Sequence, residues 1–195
     1  MMKGRGARGV GRGTLALMVL LSLPTGAGAA GEKPATKQLS GFATLDQQPV
    51  TTTLIAEHAS VKPGGRTRIG VYFEIQDGWH IYAKDPGDAG LPTKIIWSVP
   101  DGVRVGPLVW PKPHEFLDPG DIKTFGYAGA AVLYSPLAFT STAGTQRMIP
   151  IHAKVEWLAC KELCLPGSAQ LELALPVSSN PPVYSTHAEL FEQIQ

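Results

Sequence analysis

The chain has 195 residues, 44% hydrophobic and 17% charged, with 17 Lys and Arg against 16 Asp and Glu. That balance excludes the basic face of a nucleic-acid binder. No apolar run approaches the roughly 20 residues needed to span a bilayer, and 22 glycines with 17 prolines point to turns and short strands rather than helices.

Residues 1–30 read as a secretory signal. Lys3, Arg5, Arg8 and Arg12 give a basic start, and 14–23 is an apolar core of about ten residues. Ala27-Gly28-Ala29-Ala30 supplies the small residues for cleavage near Ala29 or Ala30. A retained membrane anchor is the alternative, and no cysteine near the site suggests a lipoprotein. Removing the segment and its four basic residues leaves 13 basic against 16 acidic side chains, a net charge of −3. Export would put the protein where disulfides persist, and two cysteines there favour one bridge.

In chain order, 31–49 is a polar, poorly patterned lead-in. Val50–Ala56 is β-branched and reads as a strand. Residues 66–76 alternate cleanly, with Ile69, Val71, Phe73 and Ile75 on one side, and Asp77-Gly78 turns the chain into a strand at 79–83. Residues 85–91 read as a loop, 94–99 as a strand with Trp97, and Val103–Val105 as another. The proline-rich stretch 110–120 is expected to be irregular. Residues 125–140 hold one or two strands, 143–145 a loop, and 169–175 a final strand. Those roughly eight or nine short strands predict an immunoglobulin-like antiparallel β-sandwich over 50–178. In the tail, 179–195, Thr186 and Glu189 resemble a capping box that starts a short helix with Leu190, Phe191 and Ile194 on one face.

The most informative stretch is V-E-W-L-A-C-K-E-L-C-L-P, 155–166. Ile149, Ile151, Ala153, Val155 and Trp157 share one parity, so a strand leads into the cysteines. Cys160 falls on the other parity, which would turn its sulfur away from the core. Three residues separate Cys160 from Cys164, as a tight hairpin requires if the two are to bond. So short a loop contributes only about 2 kcal/mol, against about 4 for a loop of about sixty residues. Such a bridge is a weak staple and is open to exchange; a local structural bridge is the other reading.

Four motifs carry a resemblance: D-G-W-H-I-Y-A-K (77–84), W-P-K-P-H-E-F (110–116), F-G-Y (125–127) and the cysteine segment. Through them the chain resembles the N-terminal periplasmic domain of the thiol:disulfide interchange reductase DsbD and its ScsB-like relatives. The resemblance implies a sandwich whose redox pair, Cys160 and Cys164, relays electrons in the periplasm. A membrane-embedded DsbD- or CcdA-like donor and thioredoxin-like periplasmic proteins would be its partners, with no cofactor and no nucleic acid. This would make it a component of a protein-disulfide reductase serving cytochrome c biogenesis, isomerase recycling or metal-stress defence. The resemblance further implies that Glu115 and Phe116 form a cap, with Phe116 shielding the sulfurs. His80 and Tyr82 would line the site, and Cys164 would form the mixed disulfide. Family members place more residues between their cysteines than the three found here. With the chain ending at Gln195, a free-standing module with separately encoded partners is expected, or one with different partners.

Two other readings compete. The C-x-x-x-C pair could handle copper through soft sulfur ligands, or the bridge could be incidental to a structural sandwich. His114 and His152 invite a metal reading, but His152 lies eight residues before Cys160, about 26 Å along a strand. No metal site is therefore expected. Lys161 could favour a thiolate on Cys160 or be a solvated loop charge, and Trp79, Trp97 and Trp157 read as core.

Overall fold

The computed structural model describes residues 48–141 and 147–192. The expected signal segment, the lead-in to residue 47, the 143–145 loop and Ile194 lie outside the described residues. Ten strands follow one another: β1 (Val50–Ala56), β2 (Arg66–Ile75), β3 (His80–Gly87), β4 (Lys94–Ser98), β5 (Val103–Val105), β6 (His114–Asp118), β7 (Ile122–Tyr127), β8 (Ala130–Phe139), β9 (Met148–Cys160) and β10 (Cys164–Pro176). They form two antiparallel sheets, one ordered β1-β2-β8-β5 and the other β10-β9-β3-β7-β6, with β4 beside β3 along β9. This is the expected immunoglobulin-like sandwich.

Alternation explains the layering. Ile69, Val71 and Phe73 of β2 and Ile149, Ile151 and Val155 of β9 are buried in one core between the sheets. Phe73 meets Trp157 edge to face across the layers, ring centroids 6.0 Å apart. Each such side chain contributes about 1.5–3 kcal/mol by leaving water. Trp97 Nε1 donates to the buried Ser135 hydroxyl at 3.1 Å, tying β4 to β8.

The structure corrects several boundaries. The proline-rich stretch contains a strand, β6, because its backbone pairs with β7 from His114↔Gly126 to Asp118↔Ile122. β3 runs past residue 83 into the expected loop, with a bulge between Tyr82 and Gly87 where its register against β7 shifts. β10 begins at Cys164 itself and pairs with β9 along its whole length. Lys161 N–H bonds the Leu163 carbonyl within the hairpin loop, so Cys160 and Cys164 face each other in a pair whose own backbone groups point away from the partner strand. Pro166 and Pro176 share the parity of Cys164, the positions where a missing N–H costs no ladder bond.

The tail folds back on the outer face of the four-stranded sheet. The helix there is one 3₁₀ turn, Ala188–Phe191. The expected capping box is not formed: His187 is the N-cap and makes no side-chain cap bond. Phe191 is fully buried with Ile55 and Val132, over Gly70, where a Cβ would sit 3.1 Å from its ring. Arg68 clasps the turn. It pairs with Glu57 and Glu192, donates to the Phe191 carbonyl at 3.1 Å, and lies over the rings of Tyr134 and Phe191.

Candidate functional site

Cys160 and Cys164 are joined in a disulfide, Cα atoms 4.1 Å apart, at the tip of the β9–β10 hairpin. Their exposure differs. Cys164 is exposed, whereas Cys160 is buried at 3%. Parity correctly puts Cys160 on the outer face of the six-stranded sheet, alternating with the inward Trp157 and Ala159. That face is covered here, so the sulfur-bearing residue is buried without pointing into the main core.

The cover is assembled by register. His80 is directly opposite Cys160 in the β3–β9 pair, so Cys164, Cys160 and His80 form one row across three strands. Phe116 of β6 reaches over β7 and lays its ring on His80, centroids 4.5 Å apart and planes 14° from parallel. Tyr82, two residues along β3, presents an edge contact to the same imidazole at 5.1 Å. Tyr82 is buried because the following loop presses on it. Gly90, with φ at +100°, sits where any Cβ would be 2.3 Å from the Tyr82 ring. Thr93 closes that loop by donating its hydroxyl to the Tyr82 carbonyl at 3.0 Å.

Glu115 takes no part in this layer. It is exposed on the other face of β6, in an ion pair with Lys123 at 3.0 Å. Asp118 is a site residue that motif reading missed. It shares Phe116's parity, accepts the Thr124 hydroxyl at 2.9 Å, and brings a carboxylate oxygen to 3.9 Å from His80 Nε2. The signal was its spacing of two from Phe116, legible only once 114–118 is known to be a strand. Lys161, next to Cys160, lies against the β2–β3 turn, with Cε 2.9 Å from where a Cβ on Gly78 would be.

Burial dominates the electrostatics. It pushes the His80 imidazole below its ordinary pKa, and the Asp118 charge only partly opposes this. Burial, reinforced by Asp118, raises Tyr82. Tyr127 is pushed up to about 12 by burial, and its hydroxyl donates to the Pro111 carbonyl at 2.9 Å, pinning the segment that leads into β6. Further along the β9–β10 hairpin is an open groove of about 500 Å³ lined by Leu91, Pro92, Lys94, Glu156, Leu158 and Pro166. Among the described residues no group of three or more His, Cys, Asp or Glu side chains is arranged to hold a metal ion. His114 and His152 are both exposed.

Comparison with known proteins follows the same line. The family described as "Thiol:disulfide interchange protein DsbD, N-terminal" matches residues 48–176. Among solved structures, the N-terminal periplasmic domain of ScsB from Proteus mirabilis superposes with a TM-score of 0.52 at 20% identity, over 78% of this chain and 55% of that one. This chain thus spans little more than half the length of that domain. The reduced N-terminal domain of DsbD from Neisseria meningitidis gives a TM-score of 0.37 at 18% identity, over 68% of this chain and 90% of that one. No curated protein matches the chain.

Proposed function

Since this chain belongs to the DsbD N-terminal domain family, which transfers reducing equivalents by thiol–disulfide exchange, we propose that it is a periplasmic relay whose exchanging pair is Cys160 and Cys164. Its donor would be a membrane-embedded DsbD- or CcdA-like protein, and thioredoxin-like proteins would be its exchange partners. The family implies a periplasmic location, and a signal segment cleaved near Ala29 or Ala30 would take it there. Among the described residues no helix is long and apolar enough to cross a membrane.

The observation that carries the reading is the unequal exposure of the two sulfurs' residues. Exchange begins with a thiolate approaching one sulfur in line with the bond that breaks. Cys164, exposed at the hairpin tip, offers that approach; Cys160, buried beside His80 in the same row, does not. In the reducing half a donor thiolate attacks Cys164, the electron pair leaves on Cys160, and the donor's second thiol resolves the mixed disulfide; in the delivering half the Cys164 thiolate attacks an oxidised partner and Cys160 resolves that mixed disulfide. Phe116 serves as the shield on the Cys160 side of the bridge, and His80 and Tyr82 form its seat.

Trapping tests this directly. A Cys160→Ala variant, incubated with an oxidised thioredoxin-like protein, is expected to accumulate a mixed disulfide through Cys164, while Cys164→Ala gives little. Equal trapping by both variants, or none by either, would overturn the assignment.

A further inference from the structure

His80 is an odd occupant of an apolar niche. It is 5% exposed, packed between the face of Phe116 and the edge of Tyr82, and its Nε2 is buried with no hydrogen-bond partner. Buried polar atoms are nearly always satisfied, and one that is not calls for a reason in function. A phenyl ring would fill the same space without an unpaired nitrogen. Register gives Cys160 two cross-strand neighbours, Cys164 and His80, and directly opposed residues keep their Cβ atoms about 4.5–5.5 Å apart. Once the pair is reduced, Cys160 holds a thiol whose ionisation burial opposes. It therefore needs a nearby group to take its proton.

From this juxtaposition we infer that His80 is the proton acceptor for Cys160 when that buried thiol resolves a mixed disulfide held on Cys164. The inference rests on the relay reading above. In the step, the Cys160 Sγ–H proton passes to the imidazole as Cys160 Sγ bonds to Cys164 Sγ. The bond from Cys164 Sγ to the partner's sulfur breaks, and the electron pair leaves on the partner as a thiolate. The two cysteines are oxidised and the partner's disulfide is reduced. In re-reduction the same proton returns to the Cys160 thiolate.

The surroundings suit that role. From β6 the Asp118 carboxylate faces His80 Nε2 at 3.9 Å, ready to stabilise an imidazolium, and it is itself held by the Thr124 hydroxyl of β7. From β3 the neighbour is Tyr82, and from β9 and β10 the two cysteines. Glu115 and Lys123 are paired with each other, and Lys161 lies against Gly78. Burial keeps the imidazole neutral near pH 7, the state that can accept a proton.

The test uses the reduced full chain and the aromatic disulfide 5,5′-dithiobis(2-nitrobenzoate). The first thionitrobenzoate released reports attack by Cys164, and the second reports resolution by Cys160. In His80→Phe the ratio of second-phase to first-phase rate at pH 7 is expected to fall at least about tenfold. The gap should narrow steadily as the pH is raised, because hydroxide then does the work of the missing base. A ratio unchanged at pH 7, or lowered by the same factor at every pH, overturns the inference; the latter would mean that the ring only shapes the pocket. If His80→Phe does not fold, Asp118→Asn carries the test. A ratio about threefold lower at pH 7 that converges at high pH supports the role, and an unchanged ratio overturns it. An absent first phase in the wild type would sink the relay reading itself, a distinguishable result.

Discussion

Replacing Phe116 with alanine removes the lid over His80 while leaving the β6 backbone paired to β7. The ring is stacked at 4.5 Å and 14° on the imidazole, and such aromatic pairs contribute about 0.5–1.5 kcal/mol beyond area burial. If that energy holds the cover closed, its loss raises the open population by roughly 2- to 13-fold, at about 1.36 kcal/mol per factor of ten. In the reduced protein, alkylation of Cys160, counted by mass against Cys164 in the same sample, should accelerate by the same factor. Glu115→Ala is the control. Its ion pair with Lys123 is exposed on the opposite face and contributes at most about 1 kcal/mol to stability, so the Cys160 rate should stay within about twofold. The reasoning fails if Cys160 is alkylated no faster in Phe116→Ala than in wild type. It also fails if Glu115→Ala accelerates equally, which would mean that loosening β6, not losing the ring, admits the reagent.

Two further outcomes follow from the packing. Phe191→Ala should destabilise the protein by about 3–5 kcal/mol in urea unfolding, or by less if the tail detaches locally at lower cost. In that second case Arg68→Ala in the same background should add only what its pair with Glu57 contributes, about 1 kcal/mol, because the contacts to Phe191 and Glu192 go with the turn. For pH, the imidazole of His80 has a depressed pKa in the folded state. The unfolded chain therefore binds more protons below about pH 6.5, and the stabilisation that neutral His80 retains at pH 7 is lost as pH falls through that value. Denaturant midpoints measured between pH 7.5 and 5.5 should decline in wild type and decline less in His80→Phe. Parallel curves would show that the imidazole is not the group titrating.

Much of this architecture was legible because alternation is a physical signal. Ile69, Val71 and Phe73, or Ile149 to Trp157, announce a buried face through their spacing alone, and a three-residue gap between cysteines leaves a hairpin as the way to bridge them. Three features were not legible, for different reasons. β6 is flanked by prolines that argue against a strand, and it exists because β7 supplies its hydrogen bonds, a long-range fact. The burial of Cys160 escaped parity reasoning because parity names a face without saying whether something covers it; here Cys160 is buried on that face, beside His80 with Phe116 laid on it. The capping box at Thr186 failed because one 3₁₀ turn pinned by Phe191 and Arg68 replaces the helix that such a box would start.

The placement of Pro166 bears on how the molecule avoids itself. A hairpin that ends in an exposed cysteine and has β10 as the outer strand of its sheet would invite a twin molecule to zip alongside and lock through crossed sulfurs. With proline two residues past Cys164, and another closing the strand at residue 176, the outward backbone lacks a donor near each end of β10. Self-pairing is interrupted at those two points, the first of them beside the exposed cysteine.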